Sequence, residues 1–253
     1  MKLNNTEPAV FASCLLDLGE KLLYSGAEVN RVEDTLRRMA VAYGASNSNV
    51  FVITASISLT LEVDGQAPIS QTRRIPYSAV NNFTMLENLN ALSRKCCSED
   101  ISLEEFRKEL KQAEVSPRAY LWILGGAIGA AAFAMFFGGT LLDALVSFLF
   151  GLLICFSQKF LSSYFPNNTM FNLFCSFTVG LLICLTAKLI PALNMDMIMI
   201  GDIMLLIPGL AITNAVRDML VGDTISGSMR LIESLLWAGA LACGFVAAIS
   251  VVM

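Results

Sequence analysis

The sequence predicts an α-helical polytopic membrane protein, with five transmembrane helices following an N-terminal α+β domain that contains a β-hairpin. Three observations carry that expectation. The 253-residue chain is 55% hydrophobic, with a mean hydropathy of +0.64 and only 15% charged residues, which is too apolar for an ordinary soluble domain. Its charge is unevenly placed, since 13 of the 17 Lys and Arg and 15 of the 21 Asp and Glu precede residue 119. Beyond that point long uncharged runs alternate with short turn signals, the pattern of repeated membrane crossings.

Composition also excludes several functions. Each part carries a net charge of −2 and there is no basic tract, so no nucleic acid partner is expected. The chain has no histidine, which removes Ser-His-Asp and Cys-His catalysis. Seven cysteines, four of them in apolar segments, fit reduced cytosolic thiols better than a disulfide framework. Adjacent Cys96 and Cys97 lack both CxxC spacing and any histidine to complete a site, so neither metal nor cofactor is expected. There is no GxxxxGK[ST] loop for ATP. The opening MKLNNTEPAV has no apolar run ahead of Asp17 and Glu20, so a secretory signal peptide is not expected.

The first domain, residues 1–117, reads in order. Val10, Phe11, Cys14, Leu15, Leu18, Leu22 and Leu23, then Val29, Val32, Leu36, Met39 and Tyr43, recur at helical spacing and predict two amphipathic helices. Between them Ser25 is expected to cap the second helix, with Glu28 three residues on closing a capping box, and Gly44 to end it. From Phe51 the period becomes two. Phe51, Ile53, Ala55, Ile57, Leu59, Leu61 and Val63 alternate with Val52, Thr54, Ser56, Ser58, Thr60 and Glu62, which predicts one long half-buried strand. Asp64-Gly65 is a hairpin signal, and ISQTRRI is the returning strand. After Pro76 a third helix is expected on Phe83, Leu86, Leu89 and Leu92, and a fourth on Leu103, Phe106 and Leu110, capped by Ser102 with Glu105. The hydroxyl row Thr54, Ser56, Ser58, Thr60 reads as a solvated sheet face before it reads as a polar groove or nucleophile. The run Arg31, Glu33, Asp34, Arg37, Arg38 reads first as a charged outer helix face.

Pro117 and Arg118 end the soluble part. Spans are expected at about 119–137, 141–158, 171–189, 197–216 and 232–253. Five spans place the chain ends on opposite sides. The front domain's 13 Lys and Arg, Lys159, Arg217 and Arg230 all fall on one side, with Lys188 near the other, so the front domain is expected to be cytoplasmic. Gly125 with Gly129, and Ala240 with Gly244, have the spacing of close helix packing.

The fourth span carries the functional question, because LLIPGLAIT puts Pro208 and Gly209 within it. Proline cannot donate to the helical ladder and clashes with the preceding turn, so the span should break at 208–209. In lipid, such a break is tolerated where freed backbone groups meet protein or a water-filled cavity. A helix restarting at about Gly209 would offer its first amides to an anion such as a carboxylate. Thr213 and Asn214 add hydrogen-bonding groups on the next turn, and Arg217 is a further candidate contact or a helix-end anchor. Asp143 and Asp202 are intramembrane carboxylates that could carry a proton or cation, unless they sit at the interface. Asp218, beside Arg217, is a gating or helix-end pair residue.

SGAEVNRVEDTLRRMAVAYG, the strand around TASISLT, TRRI, GGTLLDAL and above all GDIMLLIPGLAITNAVRDMLVGDTISGSMRL resemble the threonine/serine exporter family, also called ThrE. In particular they are similar to the larger, YjjP-type subunit of its two-component form. The resemblance covers nearly the whole chain. It implies a cytoplasmic front domain, five spans in the bacterial inner (plasma) membrane, and export of a small amino acid or a dicarboxylate such as succinate. Single-chain members continue into a second hydrophobic half that is missing after Met253, so a small YjjB-type membrane subunit is the expected partner, with a homo-oligomer as the other route. Asp143, Asp202, Pro208, Gly209, Asn214, Arg217, Asp218 and Gly222 match positions that the family pattern carries. The expected function is therefore a secondary exporter subunit rather than an enzyme. Two other readings stay open: a membrane-anchored sensor or hydrolase-like domain, and a scaffold regulating another transporter.

Overall fold

The computed structural model of the chain describes residues 8–75, 82–114 and 119–252. The chain divides into two compact units, Met1–Ser116 with Thr213–Leu231, and Pro117–Ile212 with Ile232–Met253. In this division 213–231 is grouped with the front of the chain. Pro76, Pro117 and Arg118, on which the expected boundaries rested, lie outside the described residues.

The first unit contains α1 (Pro8–Tyr24), α2 (Val29–Ala42), β1 (Asn47–Ile53), β2 (Ser56–Glu62), β3 (Ile69–Arg74), α3 (Phe83–Ser98) and α4 (Leu103–Gln112). The strands form an antiparallel sheet in the order β1-β2-β3. The apolar stripes of α1 and α2 meet Ile57, Leu59 and Leu61 of β2 in one core, where Phe11 stacks on Tyr43 with ring centroids 4.8 Å apart. Burial in this core pushes the Cys14 thiol up, although Arg107 Nε donates to its Sγ at 3.0 Å, so Cys14 behaves as a packed apolar group.

Two local expectations are corrected here. The predicted long strand is two strands, because a two-residue turn at Thr54-Ala55 pairs Ile53 with Ser56. The turn resets the alternation: Val50 and Val52 are buried on β1 while Phe51 is 56% exposed, and the inward set resumes with Ile57, Leu59 and Leu61. The hydroxyls of the outward face pair across strands, Ser58 with Thr72 at 3.2 Å and Thr60 to Ser70 at 3.0 Å. Nor does Ser25 cap α2. Its Oγ donates to the Lys21 carbonyl at 2.7 Å, while the N-cap position falls to Glu28, whose side chain makes no capping bond. Ser102 does cap α4, accepting from Glu105 N at 3.2 Å.

The apolar part of the chain forms α5 (Ala119–Phe136), α6 (Leu141–Phe160), α7 (Asn168–Leu189), α8 (Met195–Ile203), α9 (Gly209–Val221) and α10 (Thr224–Val252). Four of these, α5, α6, α7 and α10, are long and apolar enough to cross a membrane. In place of an unbroken fourth span stand the two short helices α8 and α9. The last helix also starts earlier than expected, and its first turns, to Leu231, belong to the first unit.

Small residues decide which helix faces meet. Ala127, Ala130 and Ala134 of α5 are fully buried, and a Cβ placed on Gly151 of α6 would lie 2.9 Å from Ala130 Cβ and 3.0 Å from Ala127 Cα. At Gly201 of α8 a Cβ would fall 2.7 Å from both the Ala130 carbonyl oxygen and Ser147 Oγ, so only glycine fits. Gly125 is not at this contact, since nothing lies within 4 Å of its Cβ position; the packed face of α5 starts one residue later, at Gly126. Gly244 does pack closely, against the Leu173 carbonyl of α7. Helices α7 and α10 run parallel: Gly244 meets Leu173 and Ser176, Gly180 meets Phe245 and Ala248, and Lys188 donates to the Val252 carbonyl.

The reset of the strand alternation predicts opposite costs for neighbouring residues. Val52→Ala destabilises the chain by about 1.5–3 kcal/mol, whereas Phe51→Ala stays within about 0.5 kcal/mol, as read from thermal unfolding of the detergent-solubilised protein.

Candidate functional site

The interruption between α8 and α9 has a local cause. In an unbroken helix residue 208 would donate to the Met204 carbonyl, but Pro208 has no N–H and its ring crowds that carbonyl. Accordingly α8 ends at Ile203, and tighter turns follow: Leu205 N donates to Asp202 O at 3.2 Å, Leu206 N to Ile203 O at 2.9 Å, and Gly209 N to Ile207 O at 2.9 Å. The helical ladder reopens where Ile212 N donates to the Pro208 carbonyl at 3.0 Å. Pro208 is buried and Gly209 is exposed.

The depth of this break can be read from its neighbours. Helix α8 runs beside α6 and antiparallel to α5, with Met197 close to Gly139 and Gly201 close to Ala130 and Ala134. Leu205, inside the break, reaches the Cβ positions of Gly126, Gly129 and Gly151 at 3.9, 4.0 and 3.5 Å. Gly151 is near the midpoint of α6, and Gly126 and Gly129 flank the midpoint of α5. The interruption is therefore level with the middle of both long helices. Met204 and Leu205 also line an open cavity of about 430 Å³, together with Trp122, Gly125, Gly126, Cys155 and Gln158.

Half a turn before the break, Asp202 is fully buried. Ser147 Oγ of α6 donates to its Oδ1 at 3.2 Å, and its Oδ2 has no hydrogen-bond partner among the described residues. A buried carboxylate with one oxygen unsatisfied is poorly compensated where it lies. Asp143 has a different environment. Its Oδ2 accepts from Thr140 N at 2.7 Å and Thr140 Oγ1 at 2.8 Å, while its Oδ1 accepts from Asn194 N at 2.7 Å. Thr140 Oγ1 in turn accepts from Asp143 N, which completes a capping box at the start of α6. Both oxygens of Asp143 are thus occupied in fixing the α5–α6 turn and the entry to α8.

The remaining candidates lie in the first unit. Arg217 Nη1 pairs with Glu28 Oε1 at 2.8 Å. Asp218, 3% exposed, lies 3.4 Å from Arg230 Nη1, whose Nη2 donates to the Ala27 carbonyl at 3.3 Å. Thr213 is exposed and Asn214 half-buried, on the second turn of α9.

The ThrE family model, threonine/serine exporter, matches residues 13–252. The chain belongs to this family. A curated ThrE relative, the threonine/serine exporter of Corynebacterium glutamicum, is 23% identical over 236 residues, covering 90% of this chain and 48% of the relative. The chain thus spans about half the length of that relative. No solved structure matches it. As a member of an exporter family with four helices able to cross a bilayer, the chain is a multi-pass membrane protein.

Within this ThrE chain the charged candidates separate into three groups: Asp202 with Ser147 beside the break, Asp143 in a cap, and Arg217 and Asp218 in ion pairs. Sequence reasoning missed Ser147, Glu28 and Arg230. Ser147 carried a weak signal, a small hydroxyl in an otherwise apolar span. By spacing Glu28 reads as part of a capping box, and Arg230 reads as one of the charges that orient the spans.

These geometries predict unlike responses of two buried carboxylates. Asp143→Ala loses the cap and lowers stability by about 1–2 kcal/mol. Asp202→Asn leaves the unfolding midpoint unchanged or raises it, because it removes a poorly paired buried charge. Thermal unfolding in detergent distinguishes the two.

Proposed function

We propose that the chain is a subunit of a secondary exporter for a small carboxylate-bearing metabolite, threonine or serine or a dicarboxylate such as succinate, and that it works with a small YjjB-type membrane subunit. The observation that carries this reading is the interrupted helix level with the midpoints of α5 and α6, with the buried, half-satisfied Asp202 beside it. A break at that depth brings the first turn of α9 there, and a helix start favours an anionic group. Pro208, Gly209, Thr213 and Asn214 line the first turns of α9 and are the proposed substrate contacts. Asp202 is the proposed coupling group, with Ser147 as its hydrogen-bond donor.

The parallel course of α7 and α10 supports a fifth crossing. Because the packed part of α10 runs in the same direction as α7, the chain has to return between them, and α8 with the break that follows is the segment proposed to begin that return. With a fifth crossing, the bias of Lys and Arg toward one side supports a front domain on the cytoplasmic side of the bacterial inner membrane. The partner subunit would close the cavity beside Met204 and Leu205, which is open in this chain alone. Asp143 is left out of the coupling role because its oxygens are already engaged in the cap.

In cells lacking the native chain, co-expression with the partner restores release of threonine or succinate into the medium. Asp202→Asn lowers that release by roughly tenfold or more at equal membrane level, while Asp143→Asn keeps the rate per folded molecule. Undiminished release by the Asp202 variant would remove the coupling assignment.

A further inference from the structure

We infer that Glu28 and Arg230 are positioning residues that clamp the α9–α10 hairpin onto the front domain and so set the orientation of the helix that opens the proposed site. The inference rests on the exporter reading for its transport readout, and on geometry alone for the clamp.

The hairpin is built to move as one piece. Helix α9 ends at Val221, and Gly222 follows at φ +105°, a conformation that suits glycine. Gly222 N donates to Met219 O at 3.2 Å and Asp223 N to Asp218 O at 2.9 Å, the paired bonds of a Schellman turn. Helix α10 then returns so closely that a Cβ on Gly227 would lie 2.7 Å from the Ala215 carbonyl and 2.9 Å from Met219 N. Across this hairpin Asp218 of α9 pairs with Arg230 of α10.

The same hairpin is tied to the loop between α1 and α2 at two adjacent residues. Arg230 donates to the Ala27 carbonyl, and Glu28 holds Arg217. The burial is asymmetric: the Glu28 side chain is 16% exposed and that of Arg230 15%, whereas Arg217 is 59% exposed. Glu28 and Arg230 are the well-buried side chains that join the hairpin to the α1–α2 loop; removing Arg230 takes a partner from the buried Asp218 and from the Ala27 carbonyl, and removing Glu28 releases the more exposed Arg217. Because α9 is a single helix from Gly209 to Val221, holding its last two turns fixes the axis along which its first amides point. Arg217, on this reading, is occupied by Glu28 and does not bind solute.

A charge exchange tests the clamp. Glu28→Arg and Arg217→Glu, each alone, lower the maximal rate of solute release by about tenfold, with the apparent KM little changed; the double variant returns to within about twofold of the parent. A raised KM for Arg217→Glu with no recovery in the double variant would overturn the inference and make Arg217 a solute contact. Hydrogen exchange read on residues 213–231 of the full chain provides a measure independent of transport. Arg230→Gln and Glu28→Gln speed exchange across the hairpin if the clamp holds it, and unchanged protection in both would overturn the inference. If the parent chain releases no solute, the exporter reading fails, and the exchange measurement still decides the clamp.

Discussion

A peptide group inside a bilayer has no water to turn to, so any residue that interrupts a membrane helix has to be surrounded by protein or face a wet hollow. Pro208 imposes that condition on this chain. It removes one donor, crowds the Met204 carbonyl and leaves α8 only nine residues long. The tight turns from Asp202 to Gly209 recover some of the lost bonds, and the helices around the break supply the enclosure.

That enclosure depends on small side chains. Gly151, Gly201 and the alanines of α5 let three backbones approach within contact of one another, and a short helix such as α8 is held because its glycine fits against a carbonyl. Close approach also seals Asp202 from solvent and leaves it one hydroxyl donor. The break and the buried carboxylate are thus consequences of the same packing. Two acidic residues that look alike in sequence part company here: Asp143, at a helix start, is satisfied by backbone amides and the Thr140 hydroxyl, and Asp202, at a helix end, is met by the Ser147 hydroxyl on one oxygen.

Four of the five expected spans were legible because hydropathy over about twenty residues is a property of composition, and the broken helix was legible because a proline acts on its own turn. The strand alternation was not. Hydrophobic and hydroxyl residues keep a period of two straight through Thr54-Ala55, so nothing in the pattern marks the turn that moves Phe51 outward. The role of Glu28 was hidden for another reason: Ser25 and Glu28 have capping-box spacing, but the partner that holds Glu28 lies far along the chain at Arg217. For Asp143 the signal was present, since Thr140 precedes it by the spacing of a capping box, yet its position in an apolar run drew attention to the cost of its charge. The discontinuous first unit could not be read from charge density, because the hairpin that joins it is only moderately polar.

The interrupted span is tested most directly by single cysteines placed from Met199 to Ile212 in a cysteine-free chain, with its partner, in native membranes. A water-soluble thiol reagent should modify positions 204–209 much faster than Ile154 or Val179, which lie within unbroken helices, and added solute should slow it. Reaction at 204–209 as slow as at those reference positions, with no response to solute, would contradict a wet, discontinuous helix at this depth.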